Sequence, residues 1–278
     1  MEAGPVSLAA ALLESDRAYF EAGAEVRDVP GAAMALLRGM ETLAASCVVH
    51  RVRQAEAGEP ERWLGMMGRE VRAAGCPALR IYLDEGRGPL AAALARTGAM
   101  RTVEVGLVRC VDEPWNGAVP GGMTLESVRS AESWRAKLDF HGACPVGPDG
   151  HAAPAGLWVA MERRRAEAGY LRPWLVRLDG TVCASFGLAG QGQLARLKNL
   201  VLHPAFRGRG LARHVVRLAA ETAAEDGALG VGCFALERHH AVAMYQALGF
   251  ETVIRQYEWV APLRAPRPRH NHLIKATT

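Results

Sequence analysis

Arg207, Gly208, Arg209 and Gly210 lie between an apolar run, Leu197 to His203, and a stretch of helical periodicity that opens at Leu211. The run predicts a strand, which Pro204 ends because proline has no amide hydrogen for a ladder. From Leu211 the apolar residues Leu211, Val215, Leu218 and Ala219 recur at helical spacing, predicting an amphipathic helix to about Glu225. A glycine-rich turn that feeds a helix start suits anions. The first helical amides lack internal partners, the dipole is positive there, and glycine lets a ligand approach the backbone. Arg207 and Arg209 add two fixed charges matched to phosphate oxygens. The loop is a candidate diphosphate site. It is not a P-loop, because GxxxxGK[ST] is missing. Nor is it a dinucleotide fingerprint, because Arg213 stands where the third glycine belongs. The plain competing reading is a basic, solvated strand-to-helix turn.

The elements that must position this loop can be read around it. Met123 to Val128 predicts a strand and Ala131 to Phe140 a helix. His141 to Pro154 is a glycine- and proline-rich loop, and Leu157 to Ala168 a second helix. Trp174 to Leu178 and Thr181 to Leu188 flank Asp179-Gly180, a strong hairpin signal. Leu194 to Leu202 is the next strand. After the long helix come a parallel strand (Ala228 to Leu236), a helix (His240 to Leu248, ended by Gly249) and a last strand (Thr252 to Val260).

Residues 112–122 are rich in turn formers and mark a boundary. Before them, a helix over Val6 to Phe20 is followed by short strands at Glu25 to Val29, Ala33 to Leu37 and Cys47 to Val52. Then come a helix from Glu59-Pro60 to Ala74, a strand (Ala78 to Leu83), a helix (Leu90 to Arg96) and a strand (Arg101 to Val111). This order repeats that of the second half, and LAAALARTGAM corresponds to VAMYQALGF. The joining segment RQAEAGEP has no arginine–glycine loop, so no catalytic residue is assigned to the first half. An unrelated αβ cap is the alternative to a repeat.

The pattern Arg207-x-x-Gly210-x-Ala212, set between strand, His-Pro and amphipathic helix, resembles the acyl-CoA loop of the GNAT superfamily of N-acyltransferases. The β–α–α–β–β–β–α–β–α–β order over about Gly122 to Pro262 resembles that fold. The first half resembles a GNAT domain that has lost its loop. The resemblance implies an α/β (α+β) protein of two GNAT-like domains, each a mixed, mostly antiparallel sheet flanked by helices. Residues 1–115 form the degenerate domain, 116–122 the linker, 123–262 the catalytic domain and 263–278 a basic, disordered tail. It implies acetyl-CoA as acyl donor, held by Arg207, Gly208, Arg209, Gly210, Leu211 and Ala212. The backbone of Leu200, Val201 and Leu202 would lie along the pantetheine arm and polarise the thioester.

RHHAVAMYQALGF resembles the family's N-x-x-A-x-x-x-Y-x-x-x-G-F segment, which makes Tyr245 the implied general acid. A phenol suits protonation of a thiolate, although Tyr245 also fits an apolar stripe with Ala241 and Leu248. Arg238 replaces the family asparagine that hydrogen-bonds the cofactor arm, which makes it an implied cofactor contact, although arginine can donate but not accept. Glu237, at a strand end, is the candidate base, with a surface carboxylate as the alternative. Arg196 and Lys198 precede the loop where a carboxylate could have stood. His141, Asp139 and Asp149 lie near the expected acceptor pocket. His203, His239 and His240 read as structural, capping or solvated.

Half of the 278 residues are apolar, enough for one large or two small domains, and a net charge of +4 implies no general nucleic-acid affinity. Six cysteines without a CxxC pair suggest neither a metal site nor a disulfide framework. No apolar run approaches a membrane span and the N-terminus lacks a basic leader, so a cytoplasmic protein is expected. The expected activity is N-acetyl transfer from acetyl-CoA to a primary amine by direct transfer. The acceptor is a small molecule or, as a second class, a protein amine. The alternatives are a non-catalytic acyl-CoA sensor or scaffold, and a Fem-type aminoacyl transferase, which would not need the loop.

Overall fold

Apolar alternation and helical periodicity settle into the elements the sequence suggests, and the pairing of the strands adds what it could not. The computed structural model describes residues 8–53, 59–115, 118–144, 154–190 and 192–263. Val6, Asp149 and the tail beyond Leu263 lie outside them. The first half comprises α1 (Leu8–Glu21), β1 (Glu25–Val29), β2 (Ala32–Leu36), β3 (Cys47–His50), α2 (Pro60–Ala73), β4 (Ala78–Leu83), α3 (Pro89–Arg96) and β5 (Met100–Cys110). The second comprises β6 (Met123–Ser127), α4 (Ala131–Gly142), α5 (Ala155–Glu167), β7 (Leu171–Leu178), β8 (Thr181–Ala189), β9 (Leu194–Leu202), α6 (Leu211–Glu225), β10 (Gly230–Leu236), α7 (His240–Ala247) and β11 (Glu251–Pro262).

Local chemistry explains the boundaries. Asp179 and Gly180 both take positive φ (50° and 80°), as a two-residue type I′ hairpin turn requires. Proline occupies the first turn of α2 and α3, where a missing amide costs nothing. Ser130 and Ser133 cap α4 reciprocally. β7 begins at Leu171, earlier than the Trp174 expected, because Pro173 needs no donor there. It lies beyond the end of β6, and its carbonyl accepts from the Val128 amide (2.9 Å).

Among the described residues the strands form one 11-stranded sheet in the order β1-β2-β3-β4-β11-β5-β10-β9-β8-β7-β6. Only β3–β4 and β9–β10 are parallel; the other pairs are antiparallel. Sequence order would place β5 beside β4 and β11 beside β10. Instead β11 pairs with β4 and β5, and β5 pairs with β10. Each half lends its last strand to the other. Trp259 of β11 is buried among Trp63, Met67, Val71 and Ile81 of the first half, and Val105 and Leu107 of β5 belong to the core under α6. Arg80 and Glu258 form a buried ion pair across β4 and β11.

Candidate active site

β9 and β10 pair over only Leu194–Arg196 and Gly230–Gly232. Beyond that they diverge, β9 keeping β8 and β10 keeping β5. The cause lies in β9. Its register against β8 passes from Gly187–Lys198 to Ser185–Val201, so β9 carries one residue more than its partner. Asn199 sits in this bulge with φ 55°. Its amide Nδ2 donates to Glu162 Oε1 (2.6 Å) and to the Tyr19 hydroxyl (3.1 Å). Glu162 is in turn paired with Lys137 (3.0 Å), both side chains fully buried, and Lys137 hydrogen-bonds the Ser185 hydroxyl. A residue outside its ordinary backbone region persists only where its surroundings over-determine it. This buried network, contributed by α4, α5, β8 and α1, holds the bulge and so the fork.

The bulge also sorts side chains. Ala195, Leu197, Leu200 and Leu202 pack with the core under α6. Arg196 reaches Asp16 and Tyr19 of α1, Lys198 stands over the Tyr19 ring, and Val201 meets Phe140 and Cys144. The fork therefore has an α6/α7 face and an α1/α4/α5 face.

On the first face β9 runs into a turn at Pro204–Phe206, then the glycine loop. His203 Nδ1 accepts from the Ala205 amide (3.2 Å), a structural role as expected. Gly208 and Gly210 have φ of 73° and 71°, conformations other residues resist. Gly210 is the N-cap of α6 without a side-chain cap, and the first turn of α6 contains no acid. Unfilled helix amides, a backbone free of Cβ and exposed arginines thus converge. Arg207 Nε donates to the Leu202 carbonyl (3.1 Å), and Arg209 lies on the Phe206 ring. The residues present fit a diphosphate.

Tyr245 is buried (6% exposed) beside Phe250, its hydroxyl against the Cys233 thiol. Cys233 is the first residue of β10 past the paired stretch, so the phenol lies at the crotch of the fork. Burial, then the Cys233 thiol, raises its pKa well above the ordinary value. Tyr245 therefore stays protonated at neutral pH. Glu237 lies just past β10, its carboxylate accepting from Arg255 Nε (2.8 Å) at the surface. Arg238 is exposed in the same turn, and His239 caps α7 by accepting from the Ala241 amide (3.2 Å).

The residues expected near the acceptor do not converge. Asp139 is exposed and faces Arg135. His141 is buried, its pKa pushed down to about 4 by desolvation and then by Lys137. Sequence reading missed Lys137, Glu162, Tyr19 and Asn199. The available signal was Asn199 itself, a poor strand residue in mid-strand. Among the described residues no group of three or more metal-ligating side chains assembles, and no helix is long and apolar enough to cross a membrane.

Comparison with known proteins agrees with this architecture. An uncharacterized N-acetyltransferase of Escherichia coli K12, YjgM, is 33% identical over 88 residues, covering 29% of this chain and 51% of its own. The chain thus spans about half the length of that relative. A GCN5-related N-acetyltransferase from Kribbella flavida superposes with TM-score 0.66 at 17% identity, covering 93% of this chain and 97% of its own. A tandem GNAT protein from the clavulanic acid biosynthesis pathway superposes with TM-score 0.58 at 19% identity, over 86% and 81%. At these identities the two structures establish the fold. The model of the acetyltransferase (GNAT) family matches residues 140–250, from the end of α4 through the fork, the glycine loop and α7. Residues 140–250 are a domain of the GNAT acetyltransferase family.

Proposed function

We propose that the protein is an N-acetyltransferase that moves an acetyl group from acetyl-CoA to a primary amine by direct transfer. The observation that carries this is the fork of β9 and β10, ending in an uncapped, acid-free helix entrance flanked by Arg207 and Arg209. The amides of Gly208 to Ala212 receive the diphosphate. The β9 backbone over Leu200 to Leu202, unpaired on the fork side, receives the pantetheine arm and offers an amide to the thioester oxygen. The amine nitrogen attacks the thioester carbon and the C–S bond breaks. Tyr245 gives its proton to the departing thiolate, and the proton that the attacking nitrogen sheds from the tetrahedral intermediate goes to a base.

Glu237 is the proposed base, acting from the mouth of the fork through water. Its pairing with Arg255 argues for a modest contribution. The first half walls the α1 side of the site and supplies β5 to the sheet. Acetyl-CoA as donor, and an acceptor that is a small amine or a protein amine, belong to this proposal. The chain division at residues 116–122 belongs to it too, with the last strands exchanged. The arginine–glycine loop speaks against a Fem-type transferase, which has no use for it.

The test is release of free CoA from acetyl-CoA against a panel of amines, with melting temperature followed in parallel. Stabilisation by acetyl-CoA together with amine-dependent release supports the proposal. Stabilisation without release on any amine identifies a sensor.

A further inference from the structure

On the α1/α4/α5 face of the fork, a small cavity of about 20 Å³ lies between the two halves, lined by Arg80, Arg165, Lys198, Trp158, Tyr19 and Tyr82 with apolar neighbours. That is space on the scale of one water-sized polar group. Three of its polar lining residues are cationic, and the Tyr19 and Tyr82 hydroxyls already accept from Asn199 and Arg80. Arg165 is 2% exposed; its Nε donates to the Tyr19 carbonyl (2.9 Å), its Cζ lies 4.0 Å from the centre of the Tyr19 ring, and its Nη1 has no partner among the described residues. The indole N–H of Trp158, 4% exposed, also has none among them. The Lys198 ammonium stands 5.0 Å from the Tyr19 ring. Arg80 is already paired with Glu258 and donates to the Tyr82 hydroxyl. Among the described residues no carboxylate lines the cavity, and Glu162, the buried acid of α5, is turned to Lys137 and Asn199.

A buried guanidinium with a free arm and a buried indole N–H are each costly unless something accepts from them. An oxyanion accepts from several donors at once and balances the charge of Arg165 and Lys198. Lys198 adjoins the bulge at Asn199, on the face of β9 opposite the glycine loop. Lys198 is thus the lining residue that adjoins the fork.

We infer that the acceptor is an amino acid-like amine whose carboxylate is held by Arg165, Lys198 and the Trp158 indole. This rests on the acetyltransferase reading and narrows its acceptor to amines that carry a carboxylate. It also gives the first half a use, since α1 and β4 close the cavity against α5 and β9.

The test compares glycine, β-alanine, 4-aminobutyrate and 5-aminovalerate, each against its neutral amide, by CoA release from acetyl-CoA. At least one acid should exceed its amide in kcat/KM by on the order of tenfold or more, the scale of a charge-assisted contact. Lys198→Met should bring that ratio towards one, mainly through KM, and Lys198→Arg should retain it. Amides used as well as the acids, no turnover of any acid, or a ratio that survives Lys198→Met would each overturn the inference. A cavity that holds only water predicts the last of these. Acetyl-CoA stabilisation is measured alongside. If it is present while the acids show no advantage, the acceptor inference fails alone; if it is absent, the acetyltransferase reading fails and this inference with it.

Discussion

α2 and α6 are the same element in two halves built to one plan, yet their entrances differ in charge. Each follows the inner strand of a parallel pair and precedes the next. β3 meets β4 at Val49–Ile81 alone, as β9 meets β10 over a short stretch. A residue of positive φ follows each contact, Arg51 (53°) and Asn199 (55°). The helix entrances differ. α6 opens from Gly210 with no acid in its first turn; α2 opens from Glu59-Pro60 with Glu61 behind it. Two carboxylates at a helix N-terminus occupy electrostatically the place an anion would take. The fork is a property of the fold, whereas the cradle is a property of about five residues at one helix entrance. The halves also remain coupled, because each completes its sheet with the other's last strand.

The strongest way to break this comparison is to separate the halves. Residues 118–263 expressed alone should show no cooperative thermal transition, because β10 loses β5 and β11 loses both neighbours. Within the full chain, Trp259→Ala should cost the first half about 3–5 kcal/mol in urea unfolding, although it lies in the second half's sequence.

Acid stability should treat the halves alike. His50, at the end of β3, and His141, in α4, are both buried with pKa lowered from about 6.5 to about 4. Desolvation is the main cause for each. Nearby charges divide: Glu21 and Asp16 partly oppose the shift at His50 while Arg51 adds to it, and Lys137 adds to it at His141 while Glu162 opposes it. Both rings fold neutral, so their full contribution is present above pH 6.5 and is lost as pH falls from there towards 4. The loss is about 3 kcal/mol for each histidine. Denaturant midpoints across that window should fall, and His50→Gln and His141→Gln should each flatten the slope.

The proposed chemistry should not be shared. Tyr245→Phe should lower kcat by roughly 100-fold with little change in KM for acetyl-CoA. Because the phenol pKa lies well above its ordinary value, the wild-type kcat profile should show no alkaline fall due to Tyr245 below about pH 10. The smallest effect sharpens the comparison most. Gly210→Val should weaken acetyl-CoA binding by on the order of tenfold in calorimetry, since valine resists φ near 71°. Glu61→Lys, which removes the acid from the α2 entrance, should leave it unaltered.

Much of this plan was legible from local pattern. Asp179-Gly180 announced its hairpin, Pro60 the start of its helix, and Arg207 to Ala212 the entrance of α6. The exchange of β5 and β11 was not legible. Alternation at Val103, Val105 and Leu107 says which face is buried but not which strand lies alongside. The support of the bulge was hidden as well, because Lys137, Glu162 and Arg165 sit on helices among other charges that nothing local distinguishes from them. Only tertiary packing turns them inward. Glu237 stands where strand-end reasoning put it, but its pairing with Arg255, 18 residues away, is invisible in a linear reading.

Hydrogen exchange of the whole chain with and without acetyl-CoA tests the asymmetry of the two forks most directly. Protection should rise across Leu200 to Arg213 and stay unchanged across the α2 entrance. Protection at α2, or none at the α6 entrance under conditions where acetyl-CoA is shown to bind, would contradict the assignment.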